Sequence, residues 1–153
     1  MTTVRRADLS CVVQAGGMSS RMGCDKARML FCGEPLIGRV LGRLAQVAGE
    51  LVVTTSRPSE LVYLEERSFG GLTPRVAMDL DGPAGAMRGI ASSLGAARLP
   101  LVAIVACDMP FVSPGLIGAL ADRVKEAPLD VCVPREKRGI EPLCAVWRRD
   151  ACA

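Results

Sequence analysis

Short apolar runs rich in β-branched residues alternate with segments of helical periodicity along most of the chain. The short runs favour strands, and apolar positions three or four residues apart favour amphipathic helices. This pattern predicts strands at residues 9–14, 50–55, 75–79, 101–106, 130–133 and 143–147. It predicts helices at residues 36–48 and 58–67, from the 80–85 loop to about residue 97, and from Pro114 to a point before Pro128.

Strands that alternate with helices predict an α/β fold. Residues 101–106 are apolar without alternation, which is typical of a central parallel strand covered on both faces. We therefore predict a doubly wound, mostly parallel sheet with helices on both faces, in which ligands bind at the carboxyl ends of the strands. With 153 residues, half of them hydrophobic, we expect one domain over residues 1–153.

Composition excludes several classes of function. The net charge is +3 with scattered basic residues, and the five aromatic residues offer no stacking platform, so nucleic acid is not an expected partner. The absence of histidine excludes Ser-His and Cys-His catalysis and histidine metal sites. Seven cysteines without a C-x-x-C pair indicate a reducing compartment. The apolar runs are too short to span a bilayer, so we expect a cytoplasmic protein.

The first predicted strand leads into adjacent glycines, Gly16 and Gly17, followed by Arg21 and Lys26. Glycines permit positive φ and a close approach of backbone N–H groups to anionic oxygens, while the two cations supply charge. This combination indicates a polyphosphate-binding loop. Neither a Walker A loop nor a G-x-G-x-x-G loop fits, because the chain has no Gly-Lys dipeptide and the glycine spacing differs.

Two aspartates follow other predicted strands. Asp79 ends the third strand, and Asp108 comes directly after the apolar strand at residues 101–106. A carboxylate at the carboxyl end of a buried strand can project into the ligand crevice and hold a hard cation that bridges phosphate oxygens. Asp108 is therefore a candidate ligand for such a cation.

The glycine loop resembles the signature loop of the molybdenum cofactor guanylyltransferases, L-A-G-G-x-S-x-R-M-G-x-D-K. The chain matches it from Ala15 to Lys26 and has Gln14 where the family usually has leucine. Residues 107–111 match a second family motif, C-D-M-P-F. The resemblance implies a Rossmann-like nucleotidyltransferase that transfers GMP from GTP to the terminal phosphate of molybdopterin, or molybdenum cofactor, and releases pyrophosphate. This reaction needs no histidine, because the phosphate nucleophile is already anionic.

The resemblance also implies the site residues. The catalytic residues it implies are Arg21, Lys26 and Asp108. The nucleotide-binding residues it implies are Gln14, Ala15, Gly16, Gly17, Lys26, Ser56, Asp79 and Asp108. The implied cofactor is Mg²⁺, held by Asp108, and the implied partners are GTP and the pterin cofactor.

The sequence departs from the family pattern at several points. The loop at 82–89 is one residue shorter than the family's G-P-L-A-G-x-x-x-G, and Ser56 lies where asparagines usually contact the nucleoside. The second departure leaves guanine selectivity open, although Gly16-Gly17 favours guanine over the sister cytidylyltransferases. Residues 141–145 resemble the family's P-L-x-A strand on the pterin side. The family usually continues beyond the helix that begins at Arg149, so we expect a domain without the last helix and strand.

Three alternatives stay open. A cytidylyltransferase or a sugar-1-phosphate nucleotidyltransferase would share the loop, and a truncated nucleotide-binding protein would bind without transfer. A nicotinamide oxidoreductase is the weakest alternative, since the glycine spacing and the downstream acidic residue are missing. An uncovered sheet edge near Leu143, Val146 and Trp147 would promote self-association, so we expect a homo-oligomer.

Overall fold

The computed structural model describes residues 4–16, 26–137 and 139–152. Over these residues the strands are β1 (Leu9–Gln14), β2 (Leu30–Phe31), β3 (Glu34–Pro35), β4 (Glu50–Thr55), β5 (Arg75–Met78), β6 (Leu101–Ala106), β7 (Val131–Cys132), β8 (Arg135–Glu136), β9 (Gly139–Ile140) and β10 (Cys144–Arg148). The α-helices are α1 (Leu36–Leu44), α2 (Ala86–Ala96), α3 (Pro114–Glu126) and α4 (Arg149–Cys152). Short 3-10 segments cover Lys26–Arg28, Pro58–Glu60 and Val62–Glu66.

A six-stranded sheet in the order β5-β4-β1-β6-β10-β7 forms the centre of the described structure. β1 runs parallel to both β4 and β6, and β4 runs parallel to β5. β10 is antiparallel to β6 and to β7. The pairs β2-β3 and β8-β9 form separate hairpins. The predicted α/β fold with a mostly parallel sheet is confirmed.

Alternating side chains of the central strands divide the core between the two faces of the sheet. Cys11 and Val13 of β1 pack on the face covered by α1 and α3. Val12 packs on the other face, against Ile90 and Leu94 of α2. Helices therefore cover both faces, as a doubly wound sheet requires. None of the helices in the described part of the chain has the length and hydrophobicity of a membrane-crossing helix.

Several predicted boundaries shift. The predicted helix at 36–48 ends at Leu44, because the N–H groups of Gln46 and Val47 bond three residues back, to the carbonyls of Arg43 and Leu44. Such bonds tighten the last turn and end the α-helix. The predicted helix at 58–67 is a pair of 3-10 segments. Leu61 and Leu64 are buried there at i and i+3, which is the spacing that a 3-10 helix places on one side.

The ends of the later elements agree more closely with the pattern. Ser113 caps α3 as predicted, since its Oγ accepts the N–H of Leu116 at 3.2 Å. The expected loss of cover on the last strand is wrong for Val146, which is fully buried because α3 packs against β10. Leu143 and Trp147 are partly buried against the α2 face. Self-association stays a prediction.

Candidate nucleotide site

Strand register places the residues after β1, β4 and β6 side by side. Gln14 is the register partner of Thr54 in β4 and of Ala106 in β6. The ladder continues past the strand ends, since the N–H of Ala15 donates to Thr54 O at 2.8 Å and that of Cys107 donates to Gln14 O at 3.1 Å. The end of β1 and the residue before Asp108 are thus joined at the carboxyl edge of the sheet.

The neighbouring strands extend this edge on both sides. The N–H of Asp79 donates to Thr55 O at 2.9 Å, so Asp79 lies directly after the paired part of β5. On the opposite side, β10 is antiparallel and begins at this edge, where Ala106 N–H donates to Leu143 O at 3.1 Å. Residues from five stretches of the chain therefore converge along one edge.

Lys26 and Asp108 form an ion pair across this edge, with Lys26 Nζ 3.1 Å from Asp108 Oδ2. The two residues are 82 positions apart in the sequence. Their side chains are 42% and 44% exposed, so the pair is open to solvent and contributes little to folding stability. Because Lys26 and Asp108 contribute little to stability, their charges are available to bind phosphate and metal.

Gly16 lies against the carboxyl group of Asp79. A Cβ added to Gly16 would overlap Asp79 Oδ2, so any larger residue forces Asp79 to move. Glycine is required at this position because Asp79 lies so close to it, and not because of a positive φ. Positive φ occurs instead at Gly82 and Gly85, in the loop after β5. The chain thus brings Gly16 and Asp79, both expected to bind the nucleotide, into contact.

Asp79 is partly buried, and this desolvation raises the pKa of its carboxyl group above the usual value. The guanidinium of Arg88 and a hydrogen bond with Ser92 oppose the rise. Ser92 also accepts the N–H of Leu80 at 2.9 Å, which ties the segment after β5 to α2. Helix α2 therefore sets both the position and the electrostatic surroundings of Asp79.

Gln14 is attached to the same helix. Its Nε2 donates to Ser93 Oγ at 3.2 Å, and Ser93 donates in turn to Gly89 O at 2.8 Å. A Cβ on Gly89 would lie only 2.8 Å from Gln14 Oε1, so the glycine makes room for the amide. The polar end of β1 is thereby fixed against α2.

A cavity of about 400 Å³ opens between these groups, and we call it the strand-end cavity. Its lining residues are Gln14, Gly16, Asp79, Ala84, Gly85, Ala86, Arg88, Gly89 and Leu143. It lies between the ends of β1 and β5 and the first turn of α2, where free N–H groups favour an anion or a polar ligand. Its volume suits a small-molecule ligand.

A second cavity of about 320 Å³ lies beside Asp108. Its lining residues are Asp108, Met109, Pro110, Phe111, Val112, Leu116, Pro134, Glu136, Glu141 and Cys144. Burial raises the pKa of the Cys144 thiol, and the nearby charges of Glu141 and Glu136 raise it further. The second cavity thus combines apolar side chains with the carboxylates of Asp108, Glu136 and Glu141.

The structure unites some predicted site residues and leaves others apart. Gln14, Gly16 and Asp79 share the strand-end cavity, and Lys26 meets Asp108. Ala15 continues the β1 ladder, and Ser56 is exposed after β4. Gly17 and Arg21 lie outside the described residues. Arg88, Ser92 and Ser93 were not predicted from the sequence, because only the helical phase of α2 brings them beside Asp79 and Gln14.

The residues present fit a magnesium ion. The described ranges hold no group of three or more His, Cys, Asp or Glu side chains that could bind a metal ion, and the carboxylate that pairs with Lys26 at this edge is that of Asp108. Mg²⁺ is commonly held by one or two carboxylates, with substrate phosphates and water completing the octahedron. A single exposed carboxylate at the phosphate end is consistent with that mode of binding.

A mostly parallel sheet with a glycine, a lysine and an aspartate at its carboxyl edge defines a nucleotide-binding α/β domain. The chain belongs to the MobA-like NTP transferase domain family, which matches residues 11–153. This membership makes it a nucleotidyltransferase and confirms the resemblance drawn from the glycine loop.

Curated relatives carry the name of the family that the glycine loop resembles. A protein of Natronomonas pharaonis named "Probable molybdenum cofactor guanylyltransferase" is 38% identical, and the alignment covers 93% of this chain and 71% of the relative. A molybdenum cofactor guanylyltransferase of Desulfosudis oleivorans is 34% identical, with 90% and 64% covered. Molybdopterin-guanine dinucleotide biosynthesis protein A of Archaeoglobus fulgidus has a similar structure, with a TM-score of 0.74, 26% identity, and 94% and 69% covered. The chain thus spans about two thirds of these proteins.

Proposed function

We propose that this chain transfers GMP from GTP to the terminal phosphate of molybdopterin or molybdenum cofactor and releases pyrophosphate. The observation that carries the proposal is the meeting of Lys26 and Asp108 at the carboxyl edge of the sheet, where β1 and β6 end side by side. The names of the relatives at 34% and 38% identity support the choice of guanylyl transfer. In the proposed reaction, an acceptor phosphate oxygen attacks the α-phosphorus of GTP, and the bond to the β-phosphate breaks.

Residues along the edge of the sheet have separate roles in the proposed reaction. Lys26 and Arg21 offset the charge of the triphosphate and of the leaving pyrophosphate. Asp108 holds Mg²⁺, which, when bound, neutralises developing charge on the phosphate oxygens. The backbone of Ala15, Gly16 and Gly17 approaches the nucleotide, since these residues follow the buried strand β1.

The nucleoside lies in the strand-end cavity in this proposal. Asp79 and Gln14 supply polar groups there, and Ser56 borders the end of β4 with an exposed hydroxyl. Alignment and charge neutralisation suffice for catalysis, because the attacking phosphate is anionic without a general base. The acceptor approaches from the far side of Asp108, where the second cavity opens.

Pyrophosphate release tests the proposal. The chain is incubated with GTP, Mg²⁺ and molybdopterin, and the same reaction is run with CTP and with a sugar 1-phosphate as acceptor. Release that requires both GTP and molybdopterin supports the proposal. Faster release with CTP would favour a cytidylyltransferase, and nucleotide binding without release would favour a non-catalytic nucleotide-binding protein.

A further inference from the structure

The strand-end cavity carries an amide side chain whose orientation is fixed by its neighbours. Gln14 lies at the end of β1, where the resemblance predicts leucine, and its side chain lines the cavity. Leucine has no hydrogen-bonding group, whereas an amide has two N–H donors and an acceptor oxygen. The difference adds a possible hydrogen bond to any ligand in this cavity.

Ser93 determines which way the amide points. The hydroxyl proton of Ser93 goes to Gly89 O at 2.8 Å, so its oxygen is an acceptor toward Gln14. Gln14 therefore presents Nε2 to Ser93, at 3.2 Å. Because an amide nitrogen carries two N–H groups and Ser93 takes one, the second has no partner among the described residues and is available to a ligand.

Gly89 packs against the side-chain amide of Gln14 and restricts the orientation of its plane. An ideal Cβ at Gly89 would lie 2.8 Å from Oε1, 3.1 Å from Cδ and 3.1 Å from Nε2 of Gln14. Such similar distances to three atoms of the amide mean that its flat face packs on Gly89. The amide is thus preorganised, and a preorganised group loses little entropy when it binds a ligand.

Gln14 and Asp79 point to the same face of the sheet. Gln14, Thr54 and Ala77 are register partners across β1, β4 and β5. Asp79 follows Ala77 by two residues, and side chains two apart on an extended chain share a face. Both groups line the strand-end cavity under α2. The cavity therefore combines a carboxylate that accepts hydrogen bonds with an amide that donates one.

This combination matches one nucleobase edge. Guanine presents two neighbouring N–H donors and the O6 acceptor, whereas cytosine presents one donor and two acceptors. We propose that Gln14 is a specificity-determining residue that donates its second amide N–H to guanine O6 while Asp79 accepts from the N–H groups of the base. Ser93 is the positioning residue for the amide. The inference rests on the proposed function, because it assumes that the nucleoside occupies this cavity.

The test compares dissociation constants for GTP and 6-thio-GTP, which replaces O6 by the weaker acceptor sulfur and keeps both N–H donor sites. We expect the wild-type chain to bind 6-thio-GTP about tenfold more weakly than GTP, which is the size of one hydrogen bond. In Gln14→Leu the ratio should fall to about one, and in Ser93→Ala it should fall part of the way. The matched control is Gln46→Leu, since Gln46 is exposed after α1, and it should keep the wild-type ratio.

A second variant guards against misfolding of Gln14→Leu. Gln14→Glu keeps the shape of the side chain and replaces the donor by an acceptor, so it should weaken GTP binding more than Gln14→Leu does. An unchanged ratio in Gln14→Leu would overturn the role of Gln14 while the proposed function stands, provided that the wild-type chain releases pyrophosphate. A wild-type chain that binds no GTP would overturn both.

Discussion

The exposure of Lys26 and Asp108 at the carboxyl edge of the sheet allows their role in ligand binding to be measured separately from any role in folding stability. The ion pair of Lys26 and Asp108 is about half open to solvent, and such pairs stabilise proteins by at most about 1 kcal/mol. Replacing either partner should therefore change ligand binding more than stability. Activity and unfolding can be measured on the same variants to separate these effects.

Lys26→Ala should reduce the transition-state stabilisation of transfer by about 2 to 4 kcal/mol, because a preorganised cation is lost from the phosphate site. Arg21→Ala, outside the described residues, should cost a similar amount. The measurement is kcat/KM for pyrophosphate release. Lys125→Ala is the matched control, since Lys125 pairs with Asp8 at 2.6 Å on the side of the sheet where β1 begins. Wild-type turnover in Lys26→Ala and Arg21→Ala would remove both from the site.

Asp108→Asn should leave the fold intact and abolish most of the magnesium-dependent activity, because asparagine keeps the shape but loses the charge that holds the cation. Activity is titrated against Mg²⁺ concentration. Asp122→Asn is the control, since Asp122 pairs with Arg6 at 2.6 Å on α3 and not at the edge. An Asp108→Asn variant with the wild-type magnesium curve would assign Asp108 to a structural role.

Replacing Thr54 or Thr55, the last two residues of β4, by valine should have different effects on the free energy of unfolding. Thr54 is fully buried, and its Oγ1 has no hydrogen-bond partner among the described residues. Thr54→Val should therefore leave the free energy of unfolding unchanged or raise it. Thr55 Oγ1 accepts the N–H of Arg57 at 3.1 Å, so Thr55→Val should cost about 0.5 to 1.5 kcal/mol. Denaturant unfolding measures both, and a larger loss in Thr54→Val would contradict the prediction.

The sequence predicted which residues lie at the edge better than it predicted their contacts. Asp108 and Asp79 were expected there because each follows a strand, and the structure agrees. The contact of Gly16 with Asp79 and the pairing of Lys26 with Asp108 depend on strand order, which local pattern does not encode. The role of Ser93 depends on the rotation of α2 about its axis, which is set by packing of Ile90 and Leu94.

At the scale of elements, features set by the local sequence pattern were predicted, and features set by pairing with other elements were not. Strands of six residues were recognised from their apolar, β-branched runs, and β1, β4 and β6 have the predicted limits. The two-residue strands of the hairpins are too short to show a period, so they were missed. β10 was expected as a strand, but its antiparallel direction arises from pairing with β6 and not from its own sequence.

Helix α1 contains a glycine that packing does not require. A Cβ at Gly42 would meet no heavy atom within 4 Å, and glycine within a helix is destabilising relative to alanine. Gly42→Ala should therefore raise the free energy of unfolding by about 0.5 to 1 kcal/mol. Gly49→Ala is the contrast, because its Cβ would lie 2.5 Å from Arg6 O in the backbone. Thermal unfolding measures both, and a lower melting temperature in Gly42→Ala would contradict the prediction.

At the scale of the whole molecule, hydrogen bonds to the partly buried carboxylate of Glu50 join the starts of β1, β4 and β5 opposite the site. Glu50 accepts hydrogen bonds from Ser10 at 2.5 Å, from the N–H of Arg98 at 3.1 Å and from Arg75 at 3.1 Å. Burial raises the pKa of the Glu50 carboxyl, but these hydrogen bonds and the charge of Arg75 outweigh it, and the net pKa is lowered. The ionised form of Glu50 therefore stabilises the folded chain.

The free energy of unfolding should fall with acidification for this reason. Between the folded and the unfolded pKa of Glu50 the unfolded chain binds more protons, so stability is present above the unfolded value near 4.5 and is lost as pH falls through the lower, folded value. Asp8, whose pKa is lowered chiefly by its hydrogen bond from Lys125, adds to the same acid-side loss. Asp79 acts in the opposite sense, because its raised pKa makes the charged form less favourable in the folded chain.

Glu50→Gln isolates the contribution of Glu50. At neutral pH the variant should lose about 1.5 to 3 kcal/mol, the usual value of hydrogen bonds to a charged group. Its stability should then depend less on pH in the acid range, because the group that titrates is gone. Urea unfolding at a series of pH values measures both effects, with the exposed Glu126→Gln as the control that keeps the wild-type slope. A Glu50→Gln variant with an unchanged acid slope would show that the loss arises elsewhere, and Asp8→Asn would be the next carboxylate to replace.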